Sequence, residues 1–263
     1  MLELYHHATA VCPQRARLAL TEKGIEWTGH IVNIRMGEQL TPEYLKLNPK
    51  GVVPTLVHDG NVIVETTVIL YYLDDAFSGP PLQPDTPLGR ARTRMWTKRV
   101  DEELHPNCGI LSWATYIRRQ MLARPPDELE EHYRKIPVPE WRDLQRQCYE
   151  MGTDAPTFRS AVKIYDKALG VMEDSLADGP WLAGADYSLA DAAATPYVLR
   201  LDMLGMSSMW EGSRPRVGDW YGRIRQRPSA AVALDAYIKP ADIEMMIIAG
   251  NEAWPEVEKI LAS

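Results

Sequence analysis

The sequence predicts an α/β domain followed by an all-α domain: a mixed four-stranded sheet with covering helices in about the first eighty residues, then helices only. Three observations carry this expectation. Short apolar runs of strand character alternate with helical periodicity up to residue 77, and the last two flank Asp59-Gly60, a hairpin signal. A proline-rich run, Ser78-Gly79-Pro80-Pro81-Leu82-Gln83-Pro84-Asp85, then punctuates the chain. Beyond it strand signals stop. The expected division is residues 1–78, a linker at 79–88, and a helical domain at 89–263.

Residues 2–5 form a short apolar run, a buried strand. Cys12-Pro13 follows a loop. From Pro13 the pattern turns helical, with Ala16, Ala19 and Leu20 on one face and Gly24 as the stop, which makes Cys12 the N-cap. Residues 25–34 hold a second strand. Thr41-Pro42 opens a short helix, with the cap ahead of the proline. Residues 55–58 and 62–64 are the hairpin strands, and 66–77 is a helix with Val68, Ile69, Tyr72 and Leu73 as its apolar positions. A βαβ crossover followed by an antiparallel hairpin gives a mixed sheet. In the second domain residues 89–121 read as one long helix interrupted at Pro106. Residues 124–157, rich in charge and proline, read as an irregular insertion with one or two short helices. Helices are expected at 157–177, 189–205, 215–226 and 240–261. Ser188-Leu189-Ala190-Asp191 has the layout of a capping box, with Asp in place of Glu or Gln, and is a folding signal.

Composition excludes several functions. The formal net charge is -7 and no basic run occurs, which argues against nucleic acid. No apolar stretch approaches the ~20 residues of a membrane span. The first residues lack a basic segment leading into an apolar one, so no signal peptide is expected and the cytoplasm is the expected location. Cys12, Cys108 and Cys148 are odd in number and widely spaced, which excludes dithiol motifs and suits free thiols in a reducing compartment. His6 and His7 are adjacent, so they point opposite ways on an extended chain, and no third ligand has motif spacing; no metal site is expected. Eight tryptophans and twelve tyrosines against two phenylalanines suit either a helical core or a cavity for aromatic ligands.

The stretch NPKGVVPTLVHDGNVIVETTVILYYL, residues 48–73, is the most informative. Pro54 stands just ahead of a strand, where it removes a ladder donor. A cis Val53-Pro54 bond would turn the chain sharply and free the Val53 backbone to pair with an extended ligand. Thr66 opens a helix, where N–H groups and a hydroxyl suit a carboxylate, and Glu65 beside it suits an ammonium. An α-amino acid head joined to a peptide would satisfy all three features. An ordinary helix cap after a hairpin would account for each one singly.

Taken together, these residues resemble the glutathione transferase superfamily over nearly the whole chain. NPKGVVPTL is similar to its cis-proline motif, ETTVILYYL to its Glu-Ser/Thr motif, and WLAGADYSLADAAATPYV to its C-terminal capping-box helix. HDGNVIVETTVILYYLDDAF, RMWTKRVDEEL and KIPVPEWRDLQRQCYEMG are similar to the bacterial branch that cleaves lignin β-aryl ethers. The resemblance implies a thioredoxin-like N-terminal domain, glutathione as cosubstrate and a homodimer. It implies that Val53 and Pro54 present the backbone that pairs with the cysteinyl unit, that Glu65 and Thr66 hold the γ-glutamyl end, and that Gln39 and Lys50 add contacts.

The chemistry needs a thiolate. A free thiol titrates at about 8.5, and lowering that by two units takes about 2.7 kcal/mol. A helix N-terminus supplies ~0.3–1 kcal/mol and at most ~2. A further donor is required. The superfamily places Tyr, Ser or Cys after the first strand; here the loop Tyr5-His6-His7-Ala8-Thr9-Ala10-Val11-Cys12-Pro13 has no serine. Cys12 aligns with the active-site cysteine of beta-like members, the two zeta-like serine positions hold Ala10 and Val11, and the beta-etherase serine position holds Pro13. Cys12 and Thr9 are therefore the catalytic candidates. The second substrate, a small aromatic electrophile, is expected between the domains, near Tyr5, His7, His105, Asn107, Trp113 and Tyr116. Three functions stay open: a glutathione transferase that conjugates or cleaves an aromatic electrophile such as an aryl ether, a Cys12-dependent thiol transferase, and a non-catalytic glutathione-binding partner protein.

Overall fold

Strand β1 (Leu2–His6) alternates buried and half-buried side chains, as a strand with one face on a core does. The structure, a computed structural model, describes residues 1–263. β1 lies inside a four-stranded sheet of order β2-β1-β3-β4. β2 (Thr28–Ile31) pairs with it in parallel, Leu4 opposite Gly29. β3 (Thr55–His58) pairs antiparallel, Leu4 opposite Leu56, and β4 (Asn61–Ile63) folds back on β3. The hairpin turn has positive φ at both Asp59 and Gly60, the conformation a tight two-residue turn needs.

A parallel pair needs a crossover, and α1 (Val11–Lys23) supplies it. α1 is buried along its first ten residues, because the sheet and α3 (Thr66–Ala76) cover one side and the helical domain the other. Its N-cap is Ala10, so Cys12 and Pro13 lie inside the first turn. The sequence expectation of Cys12 as N-cap fails because the first-turn N–H groups have no helical partner, and proline is tolerated beyond the first position there. α2 (Pro42–Leu47) lies on the opposite sheet face, where its Tyr44 meets Tyr5 edge-on at 6.2 Å.

The helical domain opens with α4 (Pro87–Arg99), a π turn (Val100–Leu104), α5 (His105–Ser112), a second π turn (Trp113–Ile117) and α6 (Arg118–Leu122). The chain does not break at Pro106 as expected; the π turn ahead of it relieves the proline clash. The true interruption is Thr115, with φ -109 and ψ -105. Its hydroxyl donates to the Leu111 carbonyl at 2.6 Å, a back-bond that bends helices.

The segment expected to be irregular, 124–157, is mostly two helices, α7 (Pro126–Lys135) and α8 (Pro139–Met151). Pro126 and Pro139 start these helices. They close on a small core of their own, with Tyr133 and Tyr149 stacked at 6.1 Å against Met121 and Ile136. α9 (Pro156–Ser175), α10 (Leu189–Met203), α11 (Pro215–Gln226), α12 (Pro228–Ala233) and α13 (Pro240–Leu261) complete the domain. Only α12 has no counterpart in the sequence reading. No helix is long and apolar enough to cross a membrane.

Two buried features hold this half together. Asp191 accepts from the N–H groups of Leu182 and Ser188, the Ser188 hydroxyl and Trp220 Nε1, all within 3.2 Å. Gly250 of α13 crosses the end of α10 so closely that an added Cβ would lie 1.7 Å from the Leu204 oxygen. One continuous apolar core runs from Leu2 to Ile260, so the two domains are packed together.

Candidate active site

Cys12 is where four helices meet. It is the second residue of α1, and its Sγ lies 3.4 Å from Nδ1 of His105 in α5 and 3.8 Å from the Tyr197 hydroxyl of α10. The Thr66 hydroxyl at the start of α3 is within hydrogen-bonding reach of the same sulfur. Burial by itself pushes the Cys12 thiol up. The charge and hydrogen bond of His105, the Arg15 charge and the Thr66 hydroxyl outweigh it and bring the thiol down to about 6. Cys12 in turn raises His105, against the effect of burial. Each therefore favours the charged form of the other, the thiolate for Cys12 and the imidazolium for His105. Cys12 is buried, while His105 is exposed and forms the solvent side of the pair. Cys108 and Cys148 are different: burial pushes both up, Cys148 to about 11.

Arg15 ties the surroundings together. It is fully buried, donates from Nη1 to Asp101 Oδ1 at 2.8 Å and from Nη2 to the Thr67 hydroxyl at 2.7 Å. It therefore joins α1, α3 and the first π turn directly behind the sulfur. Tyr197, fully buried, sits 3.3 Å from His105 Nδ1 and borders both members of the pair.

The turn before β3 carries the proline motif. Val53-Pro54 is cis, and neither the N–H nor the C=O of Val53 is bonded within the chain. The neighbouring Val52 carbonyl is held by Tyr44 Oη at 2.8 Å and Asn48 Nδ2 at 3.0 Å, which fixes the turn. Glu65 precedes α3 with φ 67, a left-handed conformation uncommon outside glycine. Its exposed carboxylate meets Lys50 Nζ at 2.5 Å. Gln39, in the 3-10 turn Glu38–Leu40, has a buried Oε1 without a partner. A buried acceptor left open in this way fits an incoming donor.

The remaining sequence candidates are scattered. The Thr9 hydroxyl makes no hydrogen bond, and its carbonyl accepts from Arg200 Nη2 at 2.5 Å. His7 is buried, 3.0 Å from the Val32 carbonyl, and burial pushes it down. Trp113 is half-buried and packs over Gly109 between the two cores. Asn107 is buried, its amide spent on the Glu103 carbonyl at 2.6 Å. Two expected pocket residues lie elsewhere. Tyr5 stacks on His30 at 4.5 Å on the α2 face of the sheet, because its strand register turns it away from α1. Tyr116 is core, its hydroxyl taken by Arg200 at 2.8 Å. His105, expected to line the pocket, is instead the partner of Cys12. Arg15, Asp101 and Tyr197 were missed; Arg15 alone left a trace, one helical turn after Cys12. No group of three or more His, Cys, Asp or Glu is arranged to hold a metal ion.

Comparison with known proteins matches residues 11–76 to the glutathione S-transferase N-terminal domain and residues 126–223 to the glutathione S-transferase C-terminal domain. Protein LigF of Sphingobium sp. is 32% identical over 87% of this chain and 91% of its own. The tetrachloro-p-hydroquinone reductive dehalogenase of Sphingobium chlorophenolicum is 28% identical over 88% of this chain and 95% of its own. The crystal structure of the beta-etherase LigF superposes with a TM-score of 0.81 at 29% identity, covering 89% of this chain and 99% of that one. With both domain models matched on this fold, the chain belongs to the glutathione S-transferase family and is an enzyme that takes glutathione as cosubstrate.

Proposed function

We propose that the enzyme turns glutathione as a thiolate on a small aromatic electrophile, an aryl ether being the type case. In this reading the unpaired Val53 backbone beside Pro54 pairs with the cysteinyl unit. Thr66 and the first turn of α3 take the γ-glutamyl carboxylate, Glu65 its ammonium, and Gln39 and Lys50 add contacts. The carrying observation is that the Val53 backbone is unpaired within the chain beside cis Pro54, and that Lys50 of the same turn reaches Glu65, which immediately precedes α3. Sulfur attacks the carbon bearing the leaving group; the C–S bond forms and the C–O bond breaks. The electron pair leaves on the phenolate oxygen, which takes a proton, while the thiol proton goes to solvent. The names of the two relatives, a beta-etherase and a reductive dehalogenase of a chlorinated hydroquinone, support an aromatic substrate. Incubation with glutathione and a β-aryl ether should release the phenol and a glutathione thioether in equal amounts. Release of neither product would refute it.

The Cys12–His105 pair favours a second reading, thiol transfer. The Cys12 thiolate would attack a glutathionyl disulfide, forming Cys12–S–S–glutathione and expelling the other thiolate; a second glutathione would restore Cys12 and leave as glutathione disulfide. Mass spectrometry after exposure to glutathione disulfide tests this, since a glutathione adduct on Cys12 is required. Two coarser inferences accompany both readings. Val62, Val68, Leu88 and Met95 are exposed apolar side chains on β4, α3 and α4, which supports a homodimer. Three free cysteines support a cytoplasmic setting.

A further inference from the structure

The β1–α1 loop contains no serine, yet three of its carbonyls in succession are held by buried cations. Arg17 of α1 donates to the His7 carbonyl at 3.1 Å and the Ala8 carbonyl at 2.8 Å, and Arg200 of α10 to the Thr9 carbonyl at 2.5 Å. Neither arginine has a carboxylate partner. Arg17 spends its other donors on the Ala233 carbonyl at 2.7 Å and His6 Nδ1 at 3.1 Å, and lies 4.2 Å from the Tyr237 ring centre. Arg200 spends its own on the hydroxyls of Ser112 and Tyr116, both at 2.8 Å, and its Nε is unpartnered. Arg17 is 0% exposed and Arg200 4%. Burying an unpaired guanidinium is costly, and burial already brings Arg17 down to about 10. Packing the two domains does not need two such charges behind one loop.

The peptide geometry shows what they accomplish. In a trans peptide the N–H points opposite to the preceding C=O. Holding the oxygens of His7, Ala8 and Thr9 therefore turns the N–H groups of Ala8, Thr9 and Ala10 away from the guanidiniums, and none of the three is bonded within the chain. The N–H groups of Val11 and Cys12, in the first turn of α1, are likewise unbonded. We propose that Arg17 and Arg200 are positioning residues for glutathione chemistry: they fix the loop so that successive main-chain N–H groups stabilise the glutathione thiolate, in place of a hydroxyl. This rests on the reading of the cleft as the glutathione site. A carbonyl that accepts from a cation polarises the N–H of the same peptide unit, so the two charges act through the peptide units as well as through space. The thiol proton goes to solvent.

The test separates binding from ionisation. Cys12→Ala removes the protein's own low thiol, so that thiolate absorbance reports glutathione alone. In that background the bound thiol should titrate well below the free value of about 8.5. Adding Arg200→Met should raise its midpoint by about one unit, a tenfold loss of thiolate below the midpoint, while calorimetry shows glutathione affinity within about twofold. A purely structural Arg200 would leave the midpoint unmoved at retained affinity, and that result overturns the proposal. Failure of the Cys12→Ala parent to bind glutathione overturns the reading of the site, and the proposal with it. Should Arg200→Met fail to fold, the unsubstituted protein decides, through nitrogen-labelled alanine and NMR. The Ala8 and Ala10 amide protons should move when glutathione binds and titrate with its sulfur; stationary resonances overturn the proposal.

Discussion

Replacing His105 by Gln should return Cys12 to the behaviour of an ordinary buried thiol. In the native enzyme burial raises the thiol, and His105 supplies the two largest opposing contributions, its charge and its hydrogen bond. Without them only Arg15 and Thr66 oppose burial, so the midpoint should climb from about 6 to at least about 8.5. That difference, 2.5 units, corresponds to about 3.4 kcal/mol. At pH 6 the thiolate fraction falls from about one-half to about 0.3%, roughly 150-fold. A more basic thiolate is also a better nucleophile, and with a Brønsted slope of about 0.45 this returns about 13-fold. The net expectation is alkylation by iodoacetamide about tenfold slower at pH 6 and about tenfold faster at pH 9, where both thiols are largely ionised. The two pH–rate profiles should cross. Cys108 and Cys148 stay silent over this range because burial holds both high. By linkage the same difference enters folding, so the substitution should cost little stability below pH 6 and progressively more as pH rises toward about 8.5, read in the melting temperature. Profiles that share one midpoint and differ only by a constant factor would refute the thiolate–imidazolium assignment.

Four further outcomes are expected. Thr66→Val removes a hydroxyl from the proposed carboxylate site, and calorimetry should find glutathione binding weaker by about 10- to 150-fold, while urea unfolding changes little because Thr66 follows the N-cap Glu65 and caps no backbone group. Asp191→Ala strands Trp220 Nε1 and the N–H groups of Leu182 and Ser188, and should lower unfolding free energy by about 4 kcal/mol or more. Burial brings His6 down to about 4, so the folded state holds it neutral while the unfolded chain takes up a proton below pH 6.5; stability should fall by up to about 3 kcal/mol as pH drops from 6.5 to 4. His6→Gln should flatten that slope, and the difference between the two proteins isolates it from Asp191, which burial raises to about 6 and which acts in the opposite sense. Gly250→Ala should push α13 off the end of α10 and destabilise the fold by at least the ~1–3 kcal/mol of an overpacked core, read in the melting temperature.

What the sequence by itself determined rests on interactions between near neighbours. The short apolar run of residues 2–5, Asp59-Gly60, the cap at Thr41-Pro42 and the box from Ser188 to Asp191 each act within a few residues, so their elements and the order of the domains could be read directly. The same holds for Val53-Pro54 and Glu65-Thr66, whose backbone availability follows from a proline and a helix start. The tertiary structure decided what depends on neighbours far along the chain. Residues 124–157 read as irregular because their prolines are helix starters whose helices persist only by closing on Tyr133 and Tyr149. Tyr5 and Tyr116 carry the right chemistry for a pocket, yet register and core packing place them elsewhere. Cys12 and His105 are 93 positions apart, and Thr9 and Arg200 are 191 apart. No local propensity encodes such pairs: the π turn that rotates His105 toward α1, and the docking of α10 that carries Arg200 to the loop, come from burying one apolar core shared by both domains.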